Sequence, residues 1–127
     1  LQAGAQLMTL HRNRFWQTAA GLHVDIGFIV AGFEAVTGQS ARVIGKPSAQ
    51  FFQQVIASSG VLAHQAMMVG DDLLNDVAGA QAVGMRGVLV QTGKFRPNQL
   101  FSVDVVPDAV LSSVADLPSW LAMQPLI

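Results

Sequence analysis

The 127-residue chain sets seven Lys or Arg against eight Asp or Glu, a net charge of −1, with 51% of residues hydrophobic and only 12% charged. That balance excludes disorder, which needs low hydrophobicity and high net charge, and it supplies no long-range field for nucleic acid or an anionic membrane surface. Cysteine is absent, so disulfides and thiolate nucleophiles are excluded and any metal must bind through oxygen or imidazole.

The chain opens mid-pattern on Leu1-Gln2-Ala3-Gly4-Ala5 instead of methionine, which suggests a fragment. No basic segment followed by an apolar run marks a signal peptide, and runs such as Phe28 to Ala31 are too short to span a bilayer. A cytoplasmic location is the default expectation. Residues 5–11 read as a short strand, and the pattern breaks from Gly21 through Gly27. Ile29, Phe33 and Val36 then recur at helical spacing up to Gly38. A brief strand at Arg42 to Ile44 ends in Gly45-Lys46-Pro47. Ser48 is a natural N-cap for a helix with Phe51, Phe52, Val55 and Ile56 on its apolar face, closed by Gly60.

Ala66 to Val69 is a continuous apolar run of the kind buried in parallel sheets, and it stops at Gly70-Asp71-Asp72. A helix with Leu73, Val77 and Ala80 on one side should follow, ending near Gly84. Gly87 to Val90 is the third strand and breaks at Thr92-Gly93; Ala109 to Leu111 is a fourth, and Val114 to Leu121 a closing helix containing Pro118. Strands and helices alternating in short units predict an α/β fold with a parallel sheet and right-handed crossovers. The rhythm holds from residue 42 to about 93, whereas the first forty residues are assigned to another substructure.

Ligands of open α/β sheets bind beyond the carboxyl ends of the strands. Two strand ends here carry charge: Lys46, one of only two lysines, and the Asp71-Asp72 pair. Adjacent carboxylates offer hard oxygen ligands for Mg²⁺, and Asp76 lies four residues beyond Asp72, on the same helical side. Lys46 supplies a positive charge for a phosphate oxygen, or a partner for Asp76. Singly, each has a blander reading. Aspartates at a helix start are favoured by capping and the macrodipole, and Lys46 alone would be an ordinary surface lysine. It is the combination at successive strand ends of one sheet that favours chemistry. Thr92 and Lys94, after the third strand, are candidates for the rim of the site, with a solvated turn an equal alternative. His11, His23 and His64 are scattered, so no histidine metal site is expected, and Arg14-Phe15-Trp16 reads as ring packing before a substrate-facing surface.

Val43-Ile44-Gly45-Lys46-Pro47-Ser48, and the run from Met68-Val69-Gly70-Asp71-Asp72 through Asn75-Asp76 to Ala80, resemble motifs III and IV of the haloacid dehalogenase superfamily. Gln91-Thr92-Gly93-Lys94-Phe95-Arg96-Pro97 and the N-terminal third extend the likeness, to subfamily IIA, over essentially the whole chain. The resemblance implies a Rossmann-like three-layer α/β/α core and phosphatase chemistry through an aspartyl-phosphate intermediate with Mg²⁺ as cofactor. It makes Lys46 the holder of the phosphate and of the nucleophile's charge, Asp71 a metal ligand, and Asp72 and Asp76 its supports; Thr92 is taken as a substrate contact from its place after the third strand. Residues 1–38 would be the end of a cap domain and its return, and 39–127 the C-terminal half of the core.

The superfamily's early Asp-x-Asp motif has no counterpart. The earliest aspartate, Asp25, has no partner two residues away. The expectation is therefore the C-terminal half of an enzyme acting on a small phosphorylated substrate, inactive alone because its nucleophile is missing. A phosphoacceptor receiver domain is disfavoured, because there the acidic pair precedes the lysine. The remaining alternative is a non-catalytic binding or assembly module whose open sheet edge pairs with a second copy or with the missing half.

Overall fold

Local chemistry sets most element boundaries in the computed structural model of the chain, which describes residues 1, 3–102 and 104–124. Residue 2 of the expected cap remnant and residues 103 and 125–127 of the expected core half therefore lie outside the described residues. Strand β1 is only Met8–Thr9, shorter than the strand expected over 5–11. It is followed by a hairpin that the sequence pattern missed. β2 (Phe15–Thr18) and β3 (Gly21–Val24) pair antiparallel, with Phe15 opposite Val24 and Thr18 opposite Gly21. Gly21 takes φ 115°, open to glycine alone, and the Thr18 hydroxyl closes the turn by donating to the Gly21 carbonyl at 3.0 Å. Helix α1 (Gly27–Thr37) ends where Gly38 turns left-handed at φ 67°. It buries Val30, while Ile29, Phe33 and Val36 are exposed.

β4 (Arg42–Val43) runs parallel to β1, because the carbonyls of Leu7 and Thr9 take the N–H groups of Arg42 and Ile44 at 2.8 and 2.9 Å. Lys46 follows, joined to Pro47 by a cis peptide bond. Helix α2 (Ala49–Ser59) matches its sequence signals: the Ser48 hydroxyl accepts the Phe51 N–H at 3.3 Å, and Gly60 turns left-handed at φ 69°.

β5 (Met67–Gly70) leads into a π-helical turn over Leu73–Ala78 and then a short helix α3 (Gly79–Gln81). The expected regular helix from Leu73 to near Gly84 is thus replaced by a widened turn. Its first carbonyl, that of Asp72, accepts from both Asp76 and Val77 at 2.9 and 3.4 Å. β6 (Arg86–Val90), helix α4 (Gln99–Ser102), β7 (Ala109–Leu111) and helix α5 (Leu117–Ala122) complete the chain. The Arg86 guanidinium lies 5.5 Å from the centre of the Trp120 ring, holding α5 against β6.

β5, β6 and β7 form one parallel sheet in that order, with Val69 opposite Val88 and Leu89 opposite Val110. With its helical crossovers it is a Rossmann-like α/β arrangement. One expectation is corrected: among the described residues, Lys46 and the acidic pair do not end successive strands of one sheet. The strand before Lys46 pairs with β1 through the N–H groups of Arg42 and Ile44.

The core lies on α2, α3 and the sheet. Phe52 is fully buried against Ala80 and Met85, and Leu73, Val77 and Leu89 form a second cluster. A buried side chain of this size contributes about 1.5–3 kcal/mol. Gly79 permits this packing, since a Cβ there would stand 2.6 Å from the Phe52 ring and 3.0 Å from Pro47. That contact seats α2, and with it the Lys46 turn, against the acidic segment. Among the described residues, no helix is long and apolar enough to cross a membrane.

Candidate active site

β5 ends at Gly70, and Asp71 and Asp72 emerge at its carboxyl end. Nothing larger than glycine fits at position 70, because a Cβ would strike the Asp76 carboxylate. Asp76 itself is only 4% exposed. A carboxylate so placed loses its water and needs charged or N–H partners in exchange. It has both: Lys46 Nζ is 2.6 Å from Oδ1, and the Asp72 N–H donates to Oδ2 at 3.2 Å. The pairing of Lys46 with Asp76 raised by the sequence is therefore present, and it ties the turn after β4 to the turn after β5.

Asp72 is just as fully engaged, by other groups. Its Oδ1 accepts from the N–H of Leu74 at 3.2 Å and of Asn75 at 3.0 Å, capping the π-helical turn. Its Oδ2 accepts from Asn75 Nδ2 at 2.8 Å and from Lys94 Nζ at 2.7 Å. Burial alone would push the Asp72 carboxyl up, but the Lys94 ammonium and the Asn75 hydrogen bonds outweigh it and hold the group below its usual value. Burial likewise works against the charge of Lys94, and the Asp72 hydrogen bond, with Asp71 and Asp76 behind it, raises its pKa.

These shifts fix a pH dependence. The depressed Asp72 contributes stability above the unfolded carboxylate pKa of ~4, and loses it as pH falls through the lower folded value. The raised Lys94 contributes below its unfolded pKa of ~10.4, and loses it as pH rises through the higher folded value. In metal-free buffer, Lys94→Met is expected to cost about 1 kcal/mol near neutrality. Denaturant unfolding should show the gap from wild type closing as pH falls below the ordinary carboxylate range; a gap independent of pH would refute the coupling.

Asp71 differs from its neighbours. Its Oδ2 accepts the backbone N–H of Lys94 at 2.7 Å, and its Oδ1 has no hydrogen-bond partner among the described residues. Gly93, at φ 53°, lets the loop approach so closely that a Cβ there would strike the Asp71 carboxylate. A cavity of about 370 Å³ gathers Lys46, Asp71, Asp76 and Lys94. Asp72 instead lines a neighbouring cavity. Thr92 is exposed and lines neither. Sequence reasoning gave no role to Asn13 or Asn75 and weighed His11 only as an improbable metal ligand; all three line the smaller cavity as well. Asn75 Nδ2 donates to Asn13 Oδ1 at 2.9 Å, and no local signal marks that pair, because 62 residues separate its members. Among the described residues, no group of three or more His, Cys, Asp or Glu side chains forms a ready metal cage.

A family model of HAD-hydrolase-like proteins matches residues 43–117, the segment that carries Lys46, the acidic cluster and Lys94. The chain is 41% identical over 110 residues to the mouse phospholysine phosphohistidine inorganic pyrophosphate phosphatase, covering 87% of this chain and 41% of that protein. It is 38% identical over 104 residues to human haloacid dehalogenase-like hydrolase domain-containing protein 2, covering 82% and 40%. Among solved structures it resembles a 4-nitrophenylphosphatase from Thermotoga maritima (TM-score 0.82, 28% identity, 93% of this chain and 46% of that one). It also resembles a glycerol phosphate phosphatase from Mycobacterium tuberculosis solved in complex with magnesium (TM-score 0.75, 29% identity, 86% and 33%). The chain spans about two fifths of the length of these curated relatives. With the family model spanning 43–117, more than half of the sequence, the chain belongs to the haloacid dehalogenase-like hydrolases.

Proposed function

We propose that the full-length protein is a Mg²⁺-dependent phosphohydrolase acting on a small phosphate ester, phosphoamidate or pyrophosphate. The observation that carries this reading is the open Oδ1 of Asp71 in a cavity that also holds the Lys46 and Lys94 ammonium groups. Mg²⁺ takes one or two carboxylates, keeps several waters and shares phosphate oxygens, so it does not need a protein cage. The donor set fits that habit. Asp71 would bind the ion directly, while Asp72, whose oxygens already have partners, would act through Lys94 and water. When bound, the ion would offset charge on the transferring phosphoryl group.

The chain's own residues do the remaining work. Lys46, fixed by Asp76, presents a cation to a phosphate oxygen, and Asp76 keeps that cation oriented toward the strand end. The nucleophilic aspartate of an aspartyl-phosphate route is proposed to lie outside this sequence. Asp25 does not serve, since its carboxylate accepts the Ile26 N–H at 2.7 Å and faces His11 at 3.9 Å. Relatives named for phospholysine, phosphohistidine, pyrophosphate and glycerol phosphate support the substrate class. A second reading, a binding or assembly module, is favoured by β5, which pairs on one side only among the described residues.

Phosphate release from 4-nitrophenyl phosphate by the full-length protein separates the two. Activity lost more than about 100-fold in EDTA and restored by Mg²⁺ is the expected result. No release with any divalent metal would leave the assembly reading in place.

A further inference from the structure

Beside the phosphoryl cavity lies a larger one of about 650 Å³, and the two share Asn13, Asn75 and Lys94. Pockets of this size hold whole organic molecules; an inorganic phosphate would leave most of it empty. Phe15, Leu22, Val43 and Leu74 give it an apolar wall. Its charge is positive, with Arg12, Arg14, Lys94 and Arg96 set against Asp72. Two of these cations are already neutralised, Arg12 by Glu34 and Lys94 by Asp72. Arg96 is fixed by the carbonyls of Gly93 and Phe95, at 3.2 and 2.7 Å, and by Gln17 Oε1 at 3.2 Å, with no carboxylate among them.

Arg14 stands apart. Its side chain has no hydrogen-bond or ion-pair partner among the described residues. Its backbone is nevertheless held, since its carbonyl accepts the Asp25 N–H at 2.9 Å and the next residue begins β2. The hairpin thus presents an uncompensated guanidinium, a planar fork suited to carboxylate or phosphate, from an ordered backbone.

We propose that the larger cavity is a second anion subsite in which Arg14, flanked by Arg96, binds a carboxylate or further phosphate of the substrate, away from the phosphoryl group removed. This rests on the phosphohydrolase reading and narrows it. The preferred substrate carries an apolar body, seated on Phe15, Leu22 and Leu74, with an anion at each end. A substrate without the second anion fills the same wall and leaves Arg14 solvated.

The test is calorimetric titration of the full-length protein with non-hydrolysable probes in Mg²⁺ buffer. 4-Methylbenzylphosphonate lacks the second anion, 4-carboxybenzylphosphonate adds a carboxylate, and 1,4-phenylenebis(methylphosphonate) adds a second phosphonate. At least one anion-bearing probe should bind roughly five- to tenfold more tightly than the methyl probe, and whichever does identifies the anion. Arg14→Gln should erase that advantage, and Arg14→Lys should keep part of it, as a point charge replaces the fork. The ratio between probes within one variant is insensitive to any fraction of misfolded protein. Equal binding of all three probes to wild type, or an advantage that survives in Arg14→Gln, would overturn the proposal. Hydrolysis of 4-nitrophenyl phosphate without any anion preference sinks this subsite alone, whereas its absence sinks the phosphohydrolase reading.

Discussion

Asp71→Asn is expected to lower phosphate release by the full-length protein by about 10²–10³-fold while leaving its unfolding midpoint within experimental scatter of wild type. The substitution is nearly isosteric, and an asparagine carbonyl oxygen can still accept the Lys94 N–H that Asp71 takes at 2.7 Å. The loop through Gly93 therefore keeps its position. What disappears is the negative charge behind the open Oδ1, the group best placed to draw a divalent cation into the cavity. Asp72→Asn should show the reverse balance. Its oxygens cap the π-helical turn and hold Lys94, so the change removes an ion pair and costs more stability than catalysis. Mg²⁺ titrations of kcat for both variants, alongside their unfolding curves, decide the matter. Near-wild-type turnover in Asp71→Asn, or a larger catalytic loss in Asp72→Asn, would reassign the metal ligand.

How much of this was legible in the sequence depended on whether a signal was local. Ser48 and Gly60 bracket α2 because capping is chemistry within one turn, and the structure places both caps where the residues predict. Ala109–Leu111 reads as a strand and is one. Lys46 and Asp71 stand out because charge at strand ends is rare in so apolar a chain, and Asp76 by its four-residue spacing from Asp72; the structure places the three in one cavity.

The π-helical turn was invisible for a physical reason. Leu73, Val77 and Ala80 give much the same apolar spacing whether the turn is tight or wide. The hairpin escaped because Phe15, Trp16, Leu22 and Val24 are all exposed, so no alternation of buried and exposed positions announces it. Thr92 and Lys94 follow the same strand, yet they end differently. The left-handed Gly93 between them turns the backbone N–H of Lys94 onto Asp71 and its ammonium onto Asp72, while Thr92 stays exposed. Asn13 reaches the site through a tertiary contact, the Asn13–Asn75 hydrogen bond, which no window of sequence contains.

Lys46→Met is expected to abolish turnover and to destabilise the protein by about 2 kcal/mol, below the ~3–5 kcal/mol typical of breaking a fully buried ion pair. Two facts set that figure. The Asp76 side chain is 5% exposed, so losing its cation leaves a buried charge whose only remaining hydrogen-bond partner among the described residues is the Asp72 N–H. The Lys46 side chain is 40% exposed, so water screens part of the attraction and reduces the loss. Catalysis and stability are then separable by a second substitution. In Lys46→Met/Asp76→Asn no uncompensated charge remains, and the asparagine oxygen can still accept the Asp72 N–H. The double variant should recover at least half of the lost stability and none of the lost activity. Urea unfolding of wild type, both single variants and the double variant measures the coupling directly. If the two single losses simply add, Lys46 and Asp76 are energetically independent and the lysine is not held in place by its aspartate. A positive coupling with activity still absent assigns Lys46 both tasks, neutralising a buried carboxylate and presenting the remainder of its charge to phosphate.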